Sequence, residues 1–536
     1  MTIDESNSEI HRFTNLHILL VLTIVIYLFC FAINSLTRVR DFSELDPMNF
    51  VDVARNMANG HGVVQSTVGF NVCCLSMHDE FPQPMTSQPP GFPFFIMLLS
   101  SIGISYANSA LILSVMSYAA LLICVYGLCV LLFDRRTALF TIVVLLLYDP
   151  LSSMAMTAMS DVFGTVPIFA ALWLVVYIRH HENSPVWLSF IAGLLVGGAF
   201  ATRYGSVPLF VIVALILVKF TNLRGTIRQL ILMSFGCLLL VAPIVINNIL
   251  VTGSVLGAGR NPATDRLIDI ILTTRGALTG TYLPFLSPHI QTRLLVVVIL
   301  LLVMRLIWQG KPVYALKNLV YNHQRWVVPL WAFVYLSLLI YSRSQFFFDE
   351  IDIRLILPAG IAFTILFAAL IVETIPIKEA HLLYIAILIS IILIGFQLYI
   401  IWQQPPIQDS DRIAESAYLT WVADHVSARD LVVGDDTVYI PFYFEHPAAI
   451  SFSPYPYTNY PEYETIQALS CAKPDEYDNV FLIVRDRYDQ ESDWLEDFGQ
   501  FITDIIYGRT ARYPGVSLLE SLEDSYIFQM DCRAST

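Results

Sequence analysis

Charge is scarce in this chain: Asp, Glu, Lys and Arg make up only 14% of its 536 residues, where a soluble domain carries about 25%. With 56% of the residues hydrophobic, that scarcity excludes an ordinary soluble protein and implies a polytopic membrane protein. Further absences narrow the reading. There is no zinc-type cysteine spacing, no internal repeat and no low-complexity tract, and residues 1–16 lack the basic stretch of a cleaved signal. Transporters are often built from paired, repeated halves with broken midplane helices, so the missing repeat weighs against one. The formal net charge of −14 says little about orientation, which follows Lys and Arg.

What is present is a series of apolar runs. His17 to Leu36 reads as a retained first helix, and runs follow at 107–133, 137–148, 161–178, 185–201, 205–220, 229–251, 292–308, 327–342, 356–374 and 382–402. That gives about eleven spans, several of them shorter than the ~20 residues a perpendicular helix needs. A cytoplasmic N-terminus puts Arg135, Arg136, Arg179, Lys219, Arg224, Arg228, Lys311, Lys317, Arg325 and Lys378 into inside turns, as the positive-inside rule requires. The segment at 89–104, PPGFPFFIMLLSSIGI, is then a half-inserted or interfacial piece, because a full span there would invert every later loop.

The expected organisation is a cytoplasmic stretch at 1–16, a transmembrane domain at 17–404 with a first outer loop at 37–92, and a soluble extracytoplasmic domain at 405–536. In that last domain LVVGDD, NVFLIVR and YIFQMD read as strands, with a helix from Ser410 to about Val426 and further helices at PEYETIQALS and ESDWLEDFGQFITDI. It is a small α/β unit with no glycine-rich phosphate loop and no nucleophile elbow. Cys30, Cys124, Cys129 and Cys237 lie in hydrophobic spans as small apolar residues. Cys73/Cys74 and Cys471/Cys532 lie in polar regions, and the second pair can form a disulfide if its region faces an oxidising compartment.

The polar residues that stand out share the outer face. DPMNFVDVARNM places Phe50, Val53, Ala54 and Met57 on one side of a helix lying along the membrane surface, with Asp46, Asn49, Asp52, Arg55 and Asn56 on the other. A carboxylate at that helix start is favoured by the helix dipole and suits a base; a plain N-cap accounts for Asp46 as well. Asp161 opens an apolar run, where an ionisable group is expensive and by default functional, although a cap at the outer mouth is the competing reading. Arg203 with Tyr204, Arg260 and Arg354 are outward arginines that need an anionic partner, either a lipid phosphate or a structural carboxylate such as Asp349, Glu350 or Asp352. His61, His78, Asp79 and Glu80 match no standard metal motif. A divalent metal remains open, and no cofactor is identified.

The order of these features resembles the GT-C superfamily, the polytopic glycosyltransferases that use polyprenyl-phosphate sugars. It is similar in particular to bacterial protein O-mannosyltransferases and lipid A aminoarabinose transferases. The resemblance rests on Asp46, Phe50, Ala54 and Arg55; on Pro89, Pro90, Gly91 and Phe92; on Asp161; on Arg203, Tyr204 and Gly205; on Pro243 through Ser254, with Asn247 where arginine is usual; and on Arg354 to Pro358. It implies Asp46 as general base on the acceptor, Asp161 organising the site, Arg203, Arg260, Arg354 and Arg55 on the donor phosphate, and Asn49, Tyr204, Pro90 and Phe92 lining the substrate. The implied partners are a polyprenyl-phosphate sugar, a lipid, glycan or protein acceptor and membrane lipids, with no nucleic acid. The implied location is a bacterial inner membrane with the site facing outward. A transporter or flippase of lipid-linked glycans is the alternative, and a binding or assembly component is a third reading.

Overall fold

The computed structural model describes residues 3–37, 45–70, 82–181, 183–218, 222–257, 262–263, 265–280, 325–346, 351–375, 377–403, 416–435, 439–444, 449–452, 471, 477–485, 504, 508–509, 513, 515–523 and 525–532. Helix α1 (Ile3–Thr37) is followed by α2 (Leu45–Ala58) and the short strands β1 (Val64–Gln65), β2 (Thr67–Phe70) and β3 (Gln83–Pro84). The membrane bundle continues with α3 (Gly91–Ser100), α4 (Tyr106–Leu132), α5 (Arg135–Leu146), α6 (Asp149–Met156), α7 (Ser160–His180), α8 (Trp187–Thr202), a single 3-10 turn (Tyr204–Ser206), α9 (Pro208–Leu217) and α10 (Leu223–Thr252). After α11 (Leu267–Gly280) come α12 (Val327–Gln345), α13 (Ile353–Thr374) and α14 (Glu379–Gln403).

Among the described residues, seven helices are long and apolar enough to cross a bilayer, or eight if α5 and α6, bent by 59°, count as one span. The expected count of about eleven is therefore corrected. The run at 137–148 is one arm of the bent pair, those at 185–201 and 205–220 form the shorter helices Trp187–Thr202 and Tyr204–Leu217, and 292–308 lies outside the described residues. Length is the reason: the 16 residues of α8 rise about 24 Å, short of a hydrocarbon core of about 30 Å. Residues 89–104 contain the ten-residue α3, with exposed Phe94, Phe95 and Leu98 on it and exposed Ile102 in the turn after it.

Small residues set the packing, as expected where lipid removes the hydrophobic drive between helices. Gly193 and Gly197 of α8 bring its backbone against Met233 and Cys237 of α10, and Gly236 faces Phe190 in return. Asn34 of α1 donates to Gln397 of α14 at 2.8 Å, a buried amide pair that ties the first span to the last. One end of the bundle is closed by His17 with Glu379 at 3.4 Å and by Arg325, which donates to the Leu132 carbonyl at 3.0 Å and pairs with Glu373 at 3.4 Å.

The C-terminal region contributes α15 (Ala417–His425), β4 (Leu431–Asp435), α16 (Tyr439–Phe444), β5 (Ala449–Phe452), β6 (Val480–Arg485), β7 (Val516–Ser521) and β8 (Ser525–Met530). The strands expected in LVVGDD, NVFLIVR and YIFQMD are β4, β6 and β8. Both PEYETIQALS and the start of the Ser410 helix lie outside the described residues, as does all of ESDWLEDFGQFITDI except Asp504. The sheet has six strands in the order β2-β5-β4-β6-β8-β7. Its edge strand β2 comes from the first loop and runs parallel to β5, Thr67 opposite Ala449 and Phe70 opposite Phe452. A disulfide joins Cys471 to Cys532. Since β2 and β5 are hydrogen-bonded neighbours, the first loop and the C-terminal domain occupy the same side of the membrane.

Candidate active site

Helix α2 begins with Asp46 in its first turn. The amphipathic pattern puts Phe50, Val53 and Ala54 inside, and they are buried; on the other side Asp52 and Asn56 are buried too. Asp52 and Asn56 are 4% and 8% exposed, because the chain folds back over them: Asp52 accepts from the Ser66 N–H at 2.5 Å, and Asn56 donates to Ser66 Oγ at 3.0 Å and to the Val64 carbonyl at 3.3 Å. Burial pushes the Asp52 carboxyl above its ordinary range, against the opposing pull of Ser66 and Arg55. Helix α2 thus has part of its polar side covered by the chain's own segment at 64–66.

Asp46 accepts from Gln88 Nε2 at 2.9 Å and pairs with Arg354 at 3.8 Å. Arg354 is shared: its Nε donates to Asp352 at 2.8 Å, and Asp352 caps α13 by accepting from the Leu355 N–H at 3.0 Å. One residue on, the Leu355 carbonyl accepts from Tyr335 at 2.8 Å. The Tyr335 ring edge faces Gly205, where an added Cβ would lie 3.9 Å from it. Gly205 belongs to the turn that carries Arg203 and Tyr204.

Arg203 forms an ion pair with Asp161. Asp161 is 4% exposed in the first turn of α7, and a lone carboxylate buried there would be strongly unfavourable, so the guanidinium is what makes its position tenable. Gly164, one turn along, leaves room for the arginine stem: a Cβ on it would lie 3.2 Å from Cγ of Arg203. Tyr204 donates to the Thr86 carbonyl at 3.3 Å and accepts from Asn248 at 2.9 Å, while Asn248 also donates to the Val255 carbonyl at 3.1 Å. Thr86 lies two residues before Gln88, which returns to Asp46. The contacts therefore close a circuit through α2, the strap before α3, the α8–α9 turn, α12 and the start of α13.

Of the residues singled out from sequence, this circuit brings together Asp46, Asp161, Arg203, Tyr204 and Arg354. Asn49 lies one turn after Asp46, with its amide oxygen buried and without a partner. Arg55 points the other way, donating to the carbonyls of Pro441 at 2.6 Å and Phe442 at 3.2 Å. Phe92 does not line a site: it is 1% exposed and packs edge-on to Phe50 at 5.4 Å and against Phe163 at 5.2 Å. Pro90 stands at the N-terminus of α3. Arg260, Asp349, Glu350, His78, Asp79 and Glu80 lie outside the described residues. No group of three or more His, Cys, Asp or Glu side chains suited to a metal occurs among the described residues. Sequence reasoning missed Thr86, Gln88 and Asn248. Asn248 had a signal, as an amide in the apolar run VAPIVINN, but the attention fell on its exposed neighbour Asn247.

The same arrangement of helices occurs in solved structures. ArnT from Cupriavidus metallidurans bound to undecaprenyl phosphate superimposes with a TM-score of 0.59 at 11% identity, over 95% of this chain and 97% of that one. Its apo state gives 0.60 at 10% identity, over 96% and 98%. The chain shares the fold of that protein. The Archaeoglobus fulgidus oligosaccharyltransferase, in complex with zinc and sulfate, shares this arrangement with a TM-score of 0.52 at 11% identity, over 95% of this chain and 72% of that one. Residues 87–247 match the family described as dolichyl-phosphate-mannose-protein mannosyltransferase. That stretch holds Asp161, Arg203 and Tyr204 within the membrane bundle. No curated protein sequence matches the chain significantly.

Proposed function

We propose that the chain is an integral membrane glycosyltransferase that moves a sugar from a polyprenyl-phosphate carrier to an acceptor at the extracytoplasmic face of a bacterial inner membrane. The observation that carries this reading is the circuit itself, in which two carboxylates and two arginines separated widely in sequence meet at one end of the bundle. The GT-C fold, shared with a protein solved with undecaprenyl phosphate bound, supports the donor class. The Cys471–Cys532 disulfide supports an oxidising compartment for that face.

In this mechanism the acceptor hydroxyl or amine attacks the anomeric carbon, its proton passes to Asp46, and the bond from that carbon to the phosphate oxygen breaks. The electron pair leaves with polyprenyl phosphate, and the configuration inverts. The demand on the site is to stabilise charge developing on the leaving phosphate. Arg354 suits this because its fork is held near Asp46 by Asp352 before the donor arrives. Arg203 is the second candidate for the phosphate, steadied by Asp161, and Arg260 is a third. Asn49 and Tyr204 are candidates for lining the substrate. The acceptor class, the sugar and a divalent metal are not assigned.

The decisive experiment measures release of polyprenyl phosphate in reconstituted membranes from a panel of polyprenyl-phosphate sugars with crude envelope acceptors. Asp46→Asn should lower turnover at least about a hundredfold, the usual scale for losing a general base, with donor binding retained. Equal turnover in both would remove Asp46 as the base. Carrier movement between leaflets without sugar transfer would establish the flippase alternative.

A further inference from the structure

Helix α2 is also held by a structure that the proposed chemistry does not use. Arg55 lies between two and three turns beyond Asp46 on the same helix. It donates from Nη1 to the Pro441 carbonyl at 2.6 Å and from Nη2 to the Phe442 carbonyl at 3.2 Å, and its guanidinium lies over the Tyr106 ring at 5.7 Å. Both carbonyls belong to α16, the short helix between strands β4 and β5. Phe442, from the same helix, is buried in one cluster with Met48, Phe50, Val51 and Ala54 of α2 and with Phe92 and Ile96 of α3. Tyr439 and Tyr443 of α16 also pack against the core formed by Trp421, Val432, Phe481 and Ile527. The helix therefore joins two cores, one under the catalytic loop and one inside the C-terminal sheet domain. A second tether runs from the same helix: Asp52 holds the Ser66 N–H, and the next residue begins the edge strand paired with β5.

A planar guanidinium that donates to consecutive backbone carbonyls fixes direction as well as distance, which a hydrophobic contact alone does not. Fixing the far end of a short helix also fixes the angle at which its first turn meets Arg354. We propose that Arg55 is a positioning residue which locks the helix carrying Asp46 onto the C-terminal domain, making that domain the reference against which the base is aimed. This rests on the reading of Asp46 as general base. The effect should be large, since a misplacement of about 1 Å at a reacting group lowers the rate by about a hundredfold.

The test uses the full-length protein in reconstituted membranes and compares the parent, Arg55→Ala, Arg55→Lys, Asp46→Asn and the double variant. Arg55→Ala should lower kcat by about ten- to a hundredfold while the donor KM changes by less than about twofold. Arg55→Lys keeps a donor for one carbonyl and should fall between it and the parent. If Arg55 acts through Asp46, the double variant is no slower than Asp46→Asn alone; if Arg55 only stabilises the fold, the two losses multiply. Hydrogen exchange supplies a readout independent of turnover: amides of α2 should exchange faster in Arg55→Ala while those of β4, β6 and β8 stay protected.

Multiplied losses, parent-like kcat in Arg55→Ala, or unchanged exchange in α2 would each overturn the proposal. Full turnover in Asp46→Asn would overturn it as well while leaving the transferase reading intact. Absence of turnover in the parent would count against the transferase reading alone, and the exchange comparison would then decide whether the lock exists.

Discussion

At the residue scale the Asp161–Arg203 pair governs what substitutions can do. Asp161 has only 6% of its side chain exposed and Arg203 has 23%, so removing the arginine leaves a buried carboxylate without compensation. Arg203→Ala should destabilise the protein by about 3 kcal/mol, seen as a lower melting temperature in detergent. Replacing the pair together, Arg203→Met with Asp161→Leu, should recover much of that stability yet leave no transferase turnover, which separates the structural from the chemical role. Both residues were legible in the sequence as charges out of place in apolar surroundings. Their pairing was not, because one opens α7 and the other lies in the turn after α8, and Asp349, Glu350 and Asp352 were equally eligible partners for an outward arginine. Asn248 shows another limit: neighbouring amides on a helix point about 100° apart, and only tertiary packing decides which faces in. Asn248 is 2% exposed, and its neighbour faces out.

At the scale of elements, long apolar runs announced themselves and short ones misled. A hydrophobic run records that a segment avoids water, not whether it spans, bends or stops. The PPGF element illustrates the difference between a motif and its use. Gly91 stands where any Cβ would meet the backbone carbonyl of Ala201, so it permits α3 to touch the end of α8 next to the Arg203 turn, while Phe92 fills the core. Gly91→Ala must therefore push two helices apart, a strain of about 1–3 kcal/mol. The expected outcome is a lower melting temperature and slower turnover together, with Gly395→Ala, at an exposed position of α14 where an added Cβ meets nothing within 4 Å, as a control for alanine itself. Strands β4, β6 and β8 were readable from their β-branched and aromatic runs. Strand β2 was not: TVGF is too short to signal a strand, and nothing local says that its partner is Ala449 to Phe452.

For the whole molecule, the sheet and the circuit constrain topology more firmly than charge counting does. Everything tied to Thr86, Asp46 or β2 must share one face, and the turns around Arg136 and Arg325 must share the other. With that face outward, as proposed, single cysteines at Asn59 and Ala428, both exposed, should react with a membrane-impermeant maleimide in intact spheroplasts. One at Asn183, in the turn after α7, should react only after lysis. Labelling of all three from outside, or of Asn59 and Ala428 from opposite sides, would break this topology. Among the described residues the free cysteines Cys30, Cys124, Cys129 and Cys237 are buried, and the labelling is done with Cys73 and Cys74 of the first loop replaced by serine.

The parallel pairing of β2 with β5 also bears on biosynthesis. The ribosome makes the first partner and then nearly the whole membrane bundle before it reaches the second, and at about 5–20 residues per second the delay is tens of seconds. During that interval the loop has been delivered to its face of the membrane with one strand edge open and α2 lacking its outer support. A chain stalled anywhere in the bundle would have its helices inserted but α2 without that support. On the proposed transferase reading, competence for chemistry would arrive only when the last segment of the polypeptide docks, and partially synthesised chains would not draw on the activated lipid carrier.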